Sequence, residues 1–207
     1  VVAALRHKDG HVAAKARTTD PAIVAECDRV IRGEAQTDIE YGKFALPTKV
    51  EIERKSTRHD VVVEAFAGKK RILDLACGNG AFAILLAEAD PERHVTGYDY
   101  SQQNIDAANA EAEGRGLSDR VTFERRVVCH LESGEVVLAD APSSDGVFIG
   151  EFCEHIGGIE TFVAGVHRLV GHGCTVVITT PSGPFSELLP VDMPKQKGHV
   201  HHFRPRD

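Results

Sequence analysis

One stretch restricts this chain more than any other: Arg71-Ile72-Leu73-Asp74-Leu75-Ala76-Cys77-Gly78-Asn79-Gly80-Ala81-Phe82-Ala83-Ile84-Leu85-Leu86-Ala87. Its order is a buried strand, a glycine-bearing turn and the first turns of an apolar helix. Ile72 to Ala76 can bury on both faces of a parallel sheet, while Gly78 and Gly80 let the backbone turn sharply and approach a ligand closely. The helix that follows starts with free N–H groups aimed at that ligand. About nineteen residues past Gly80 a second strand, His94-Val95-Thr96-Gly97-Tyr98, ends in Asp99, whose carboxylate can accept hydrogen bonds from both hydroxyls of a ribose. A cofactor that contains a nucleoside requires this order of strand, turn, helix, strand and acid.

Two cofactor classes compete for the pattern. Gly78-Asn79-Gly80-Ala81-Phe82-Ala83 satisfies the G-x-G-x-x-A form of the dinucleotide fingerprint, and the ribose acid stands where that fingerprint wants it. Asp74 separates the two, because a carboxylate at the end of an apolar strand would repel a pyrophosphate and suits the ammonium of a methionine moiety. Leu73-Asp74-Leu75-Ala76-Cys77-Gly78-Asn79-Gly80, followed by Gly97-Tyr98-Asp99-Tyr100-Ser101, resembles motifs I and II of the class I S-adenosylmethionine-dependent methyltransferases. The resemblance implies that Asp74, Ala76, Gly78 and Gly80 cradle the methionine part, Asp99 holds the ribose, and Tyr100 and Ser101 flank the adenine. Ala76 departs from the glycine many members carry at its position. After the third core strand Cys129 or His130 is the candidate to meet the adenine amine, without a clear motif.

The rest of the chain agrees with an α/β fold. Ser56 or Thr57 caps a helix through Phe66, stopped at Gly68; then strand Arg71 to Ala76, helix Ala81 to Ala89, strand Val95 to Tyr98, helix Gln102 to Arg115 and strand Val121 to Arg126 follow in turn. A strand Gly146 to Gly150, a helix near Ile159 to Leu169 and a strand Thr175 to Thr179 close the pattern. Such alternation predicts a doubly wound, mostly parallel sheet with helices on both faces, the Rossmann-like fold of the methyltransferases the chain resembles. That family's last strands, one of them antiparallel, are missing from the legible pattern. A core whose remaining strands lie beyond the sequence is favoured over one whose N-terminal hairpin supplies the edge.

Residues 1–67 read as an N-terminal helical and lid segment, and residues 68–207 as the cofactor-binding core. Within the first, Val1 to Arg17 suggests a short hairpin turning at Lys8-Asp9-Gly10. Asp20-Pro21 starts an amphipathic helix from Ala22 to Arg32, ending at Gly33. Residues 34–66 form a segment expected to cover the bound ligands.

Charge and cysteines narrow the class further. A net charge of −7 disfavours a broad phosphate-binding surface, so a nucleic-acid partner is disfavoured and a small-molecule, glycan or lipid-precursor acceptor is expected. Cys27, Cys77, Cys129, Cys153 and Cys174 form no C-x-x-C pair, and their odd number argues for reduced thiols in a cytoplasmic protein. No membrane-length apolar run exists, and the apolar start Val1 to Leu5 lacks a signal-peptide core.

In an open parallel sheet the ligand sits beyond the carboxyl ends of the strands. There the loop Glu151-Phe152-Cys153-Glu154-His155-Ile156 stands out. A helical turn would put Glu151, Glu154 and His155 on one side, at i, i+3 and i+4, as a hard divalent-metal site for Mg²⁺ or Mn²⁺. A further ligand would come from His199, His201 or His202. This E-x-x-E-H arrangement resembles the metal site of the small-RNA 3′-terminal 2′-O-methyltransferases and the Glu-His loop of ubiquinone-pathway O-methyltransferases. Without a metal, His155 or Glu151 would serve as general base. The reading is an O-methyltransferase using S-adenosylmethionine; the alternatives are an RNA 3′-terminal 2′-O-methyltransferase and a non-catalytic cofactor-binding subunit.

Overall fold

A computed structural model of the chain describes residues 2–6, 50, 53–54, 57–170 and 173–180. The elements are β1 (Val2–Arg6), α1 (Thr57–Ala65), β2 (Arg71–Leu75), α2 (Ala81–Ala89), β3 (His94–Asp99), α3 (Gln102–Gly114), β4 (Val121–Arg125), β5 (Gly146–Gly150), a 3₁₀ turn (Cys153–His155), α4 (Ile159–Leu169) and β6 (Thr175–Thr179). Every core element expected from the sequence lies within one or two residues of its expected place. The helix expected at 22–32, the turn at Lys8-Asp9-Gly10, and His199, His201 and His202 lie outside the described residues.

The strands form one six-stranded sheet in the order β1-β6-β5-β2-β3-β4. All neighbours are parallel except β1, which runs antiparallel to β6 with Val2 opposite Thr179 and Arg6 opposite Thr175. Beside β6 an N-terminal strand thus forms the antiparallel edge, through a pairing that sequence patterning cannot register because its partner is so distant in the chain. Among the described residues no helix is long and apolar enough to cross a membrane.

Alternation along the strands divides the core into two layers. Ile72, Phe148 and Val177 face a layer with Val62 and Phe66 of α1, Phe82, Ile84 and Leu86 of α2, and Ile105, Ala108 and Ala112 of α3. Leu73, Leu75, Val147, Ile149 and Val176 face the other, with Phe162 and Val166 of α4 and with Val128, Val136 and Leu138. Among the described residues the second layer is covered by α4 and by the loop between β4 and β5, which folds back through an antiparallel bridge from Cys129 to Val136. Apolar side chains from an irregular segment do there what a crossover helix does on the opposite face. Phe148 anchors the first layer, its ring 4.8 Å from that of Phe82 and 6.5 Å from that of Phe66; such pairs contribute about 0.5–1.5 kcal/mol each beyond area burial.

The chain winds outward from β2 through β3 to β4, then returns to place β5 on the other side of β2. That reversal opens a crevice beyond the carboxyl end of β2, the place where open α/β sheets bind ligands. Register keeps the strand ends level, with Leu75 opposite both Tyr98 and Ile149. Ala76, Asp99, Glu151 and Thr180 consequently share one rim.

Candidate functional site

The glycine turn is built by backbone shape. Ala76 has φ 58°, Gly78 φ 54° and Gly80 φ 76°, a run of left-handed conformations that reverses the chain between β2 and α2. At Gly80 a side chain is excluded twice, by the positive φ and because an added Cβ would lie 2.4 Å from the Phe123 ring. At Gly78 an added Cβ would meet nothing within 4 Å, so the turn has an open face. Gly80 caps α2 without any side-chain hydrogen bond, which leaves the positive end of the helix to a ligand. Asn79 Oδ1 is buried there with no hydrogen-bond partner; a buried acceptor of that kind is costly unless a donor reaches it. Asp74, 1% exposed, lies on the strand just before the turn.

Asp99 ties the second motif to the first. Its Oδ2 accepts the Gly78 N–H at 2.9 Å, and its Oδ1 accepts the Ser101 N–H at 2.9 Å and the Asn104 side-chain amide at 3.3 Å. Ser101 also acts as N-cap of α3, its hydroxyl accepting the Asn104 N–H at 3.3 Å. The Tyr100 carbonyl accepts from Arg125 Nε at 2.9 Å. Asn104 was not anticipated; the signal available was an amide in the first turn of a helix that starts beside the ribose acid. The Asn79 oxygen and the Asp74 carboxylate suit the ammonium of S-adenosylmethionine, the bare helix N-terminus suits its carboxylate, and the Asp99 carboxylate at the open turn suits its ribose.

Of the two adenine candidates, Cys129 is 5% exposed and packs in the second core layer. His130 is half-buried at the mouth of the same loop, where its Nδ1 lies 3.3 Å from Ser133 Oγ and its carbonyl accepts the Gly134 N–H at 2.8 Å.

The acceptor side differs from its expected form. Glu151 has φ 50° and donates its N–H to the Thr179 carbonyl at 2.8 Å; Cys153 to His155 then make a 3₁₀ turn instead of an α-helical one. In that geometry the side chains find separate partners. Glu151 Oε1 pairs with Arg58 Nη1 of α1 at 2.8 Å. Glu154, 2% exposed, turns inward, where Thr180 Oγ1 donates to its Oε2 at 3.2 Å. His155 Nε2 lies 3.9 Å from Glu154 Oε1. Among the described residues no three His, Cys, Asp or Glu side chains are gathered to hold a metal ion. The i, i+3, i+4 spacing expected for Glu151, Glu154 and His155 assumed an α-helical turn, whereas the strand leaves the sheet through a left-handed residue and a tighter turn; the further expected ligands His199, His201 and His202 lie outside the described residues.

Electrostatics sharpen the roles. Burial, reinforced by the nearby Glu151 charge, pushes the Glu154 carboxyl up to about 7 against the weaker pull of Thr180 and Arg58. Burial and the Glu154 charge push the Cys153 thiol up to about 12, so it stays protonated and packs as a filler. Burial lowers the Arg58 pKa, but hydrogen bonds and charges from Glu53 and Glu151 outweigh it and hold the guanidinium above its usual value.

A family model described as a methyltransferase domain matches residues 67–202, well over half the chain. The chain belongs to the methyltransferase-domain family. This methyltransferase domain is 26% identical over 125 residues to the ubiquinone biosynthesis O-methyltransferase of Psychrobacter arcticus, covering 60% of this chain and 46% of that protein. It is 27% identical over 153 residues to the ubiquinone/menaquinone biosynthesis C-methyltransferase of Desulfotalea psychrophila, covering 72% and 58%. The chain thus spans about half the length of these curated relatives. An O-methyltransferase family protein from Burkholderia thailandensis shares the fold at a TM-score of 0.56 and 20% identity, over 76% of this chain and 49% of that one.

Proposed function

We propose that this domain transfers a methyl group from S-adenosylmethionine to a hydroxyl of a small-molecule acceptor. The observation that carries the reading is the Asp99 carboxylate seated on the Gly78 N–H at 2.9 Å. It joins the two motif loops into one cradle at the strand-order reversal. When bound, the cofactor supplies an electrophilic methyl group.

The chain's own residues would do the rest. Asp74 and Asn79 balance the ammonium of the methionine part, and Asp99 fixes the ribose. His155 takes the proton of the acceptor hydroxyl, and Glu154, 3.9 Å from its Nε2, favours the protonated ring. Glu151, held by Arg58 at the rim, orients the acceptor. Holding the reacting oxygen in line is the main contribution, since methyl transfer needs no covalent enzyme intermediate.

A nucleic-acid 3′ end is the weaker alternative: only the E-x-x-E-H spacing favours it, while the net charge of −7 opposes it. The test pairs calorimetry with turnover. Asp99→Ala is expected to weaken S-adenosylhomocysteine binding by about 1.5–3 kcal/mol, the value of a charge-assisted hydrogen bond; unchanged affinity would remove the cradle. Wild-type protein is expected to label catechols and other small hydroxylated compounds from methyl-labelled cofactor. Tight cofactor binding with no labelling of any acceptor would point instead to a non-catalytic subunit.

A further inference from the structure

Arg58 reaches three places at once. Its Nη1 pairs with Glu151 Oε1 at 2.8 Å; its Nη2 and Nε edge grips Glu53, the Nε contact at 3.3 Å; and its guanidinium carbon lies 5.1 Å from the centre of the Phe82 ring. Phe82 stands in the first turn of α2, directly after the glycine turn, and Glu151 stands where β5 ends. One side chain from the segment before the core thus touches both the helix that faces the cofactor and the acid that faces the acceptor.

The backbone at Glu151 gives the second observation. It holds a positive φ of 50° in a residue that is not glycine, a conformation kept only where the surroundings fix it and common at functional sites. If the turn alone mattered, a glycine would fit it better. Two contacts fix it instead, the N–H bond to the Thr179 carbonyl and the Arg58 pair. Resting on the acceptor-side role given above to Glu151, we propose that Arg58 is a positioning residue for methyl transfer, clamping the Glu151 carboxylate at the rim through its bridge to Glu53 and Phe82. A guanidinium suits the task because its planar fork serves two carboxylates along different edges, whereas an ammonium offers one point charge.

The experiment compares full-length wild type, Arg58→Ala and Arg58→Lys, each saturated with S-adenosylhomocysteine, by hydrogen–deuterium exchange of the peptide spanning residues 146–156. In Arg58→Ala the amides after β5 are expected to exchange about tenfold faster, with β3 and β4 unchanged, and Arg58→Lys is expected to recover part of the protection. With caffeate as acceptor probe, kcat is expected to fall about 10- to 100-fold in Arg58→Ala while KM for S-adenosylmethionine stays within about threefold, the pattern of a misplaced group. Unchanged exchange after β5, equal loosening across the whole sheet, or an unchanged kcat would overturn the proposal. The exchange readout needs no acceptor; if wild type fails on caffeate while the local exchange response holds, the acceptor reading fails and the clamp stands.

Discussion

The two ends of the sheet are built on opposite principles. At the amino end charged side chains partner the backbone groups that the sheet and helices leave over. Asp145 accepts the N–H groups of Lys70 and Arg71 at 2.8–3.1 Å. Arg93, 2% exposed, donates to the carbonyls of Lys69, Leu86 and Phe66 at 3.0, 2.8 and 2.9 Å, and Arg120 donates to that of Ala87 at 2.8 Å. Both arginines close off the carbonyl ends of α1 and α2, where positive charge is favoured. At the carboxyl end the chain keeps two left-handed residues that are not glycine, Ala76 and Glu151, an unmet acceptor at Asn79 and a bare hydroxyl at Thr179, and a buried carboxyl displaced to about 7. Satisfaction is concentrated at one end and strain at the other, which is what a scaffold with its ligand site on one rim requires.

Breaking the saturated end should cost the most. Arg93→Met removes the donor from three carbonyls while leaving an apolar side chain of similar reach. The expected loss is about 3–5 kcal/mol of stability, because breaking a buried charged network strands its partners. A urea midpoint on purified protein measures it; a loss under about 1 kcal/mol would mean that water reaches those carbonyls and that the amino end is not a sealed floor.

The strained rim predicts a pH signature. The folded-state pKa of Glu154 is raised from 4.5 to about 7, so the folded protein binds a proton that the unfolded chain has already released between those values. Stability from this group is fully present below about 4.5 and is lost as pH rises to about 7, a difference on the order of 3 kcal/mol. Glu154→Gln keeps an acceptor for Thr180 and removes the titration. Melting temperatures from pH 5 to 8 should therefore decline more steeply in wild type than in the variant; parallel curves would mean that Glu154 is solvated.

Much of this contrast was written locally, and some was not. The Asp74 to Gly80 run and the Asp99 strand end each specify their conformation within a few residues, and the crevice between them follows from strand alternation. The pairings that define the rim are long-range. Arg58 meets Glu151 across nearly half of the chain, β1 meets β6 across most of it, and neither pairing leaves a periodic trace. The separate partners of Glu151 and Glu154 are illegible for another reason: a left-handed residue and a 3₁₀ turn break the helical spacing that sequence offsets assume. The burial of Cys129 is illegible in sequence because a loop residue is ordinarily solvent-facing, whereas here the β4–β5 loop itself covers the sheet.

The two left-handed residues allow the finest comparison. Ala76 and Glu151 end adjacent strands, β2 and β5, with nearly the same φ of 58° and 50°, yet only Glu151 carries a charged contact to a neighbouring element. Ala76→Gly removes a left-handed penalty of about 1 kcal/mol and adds a similar entropy to the unfolded chain, so the net effect should be a gain of under about 1 kcal/mol. Cofactor affinity should not change. Glu151→Gly grants the same backbone relief but deletes the carboxylate, so its stability should change as little while methyl transfer falls. Equal loss of transfer in both variants would show that the turn shape, and not the Glu151 carboxylate, is what the rim contributes; loss confined to Glu151→Gly would assign the strain at Ala76 to the fold and the strain at Glu151 to chemistry.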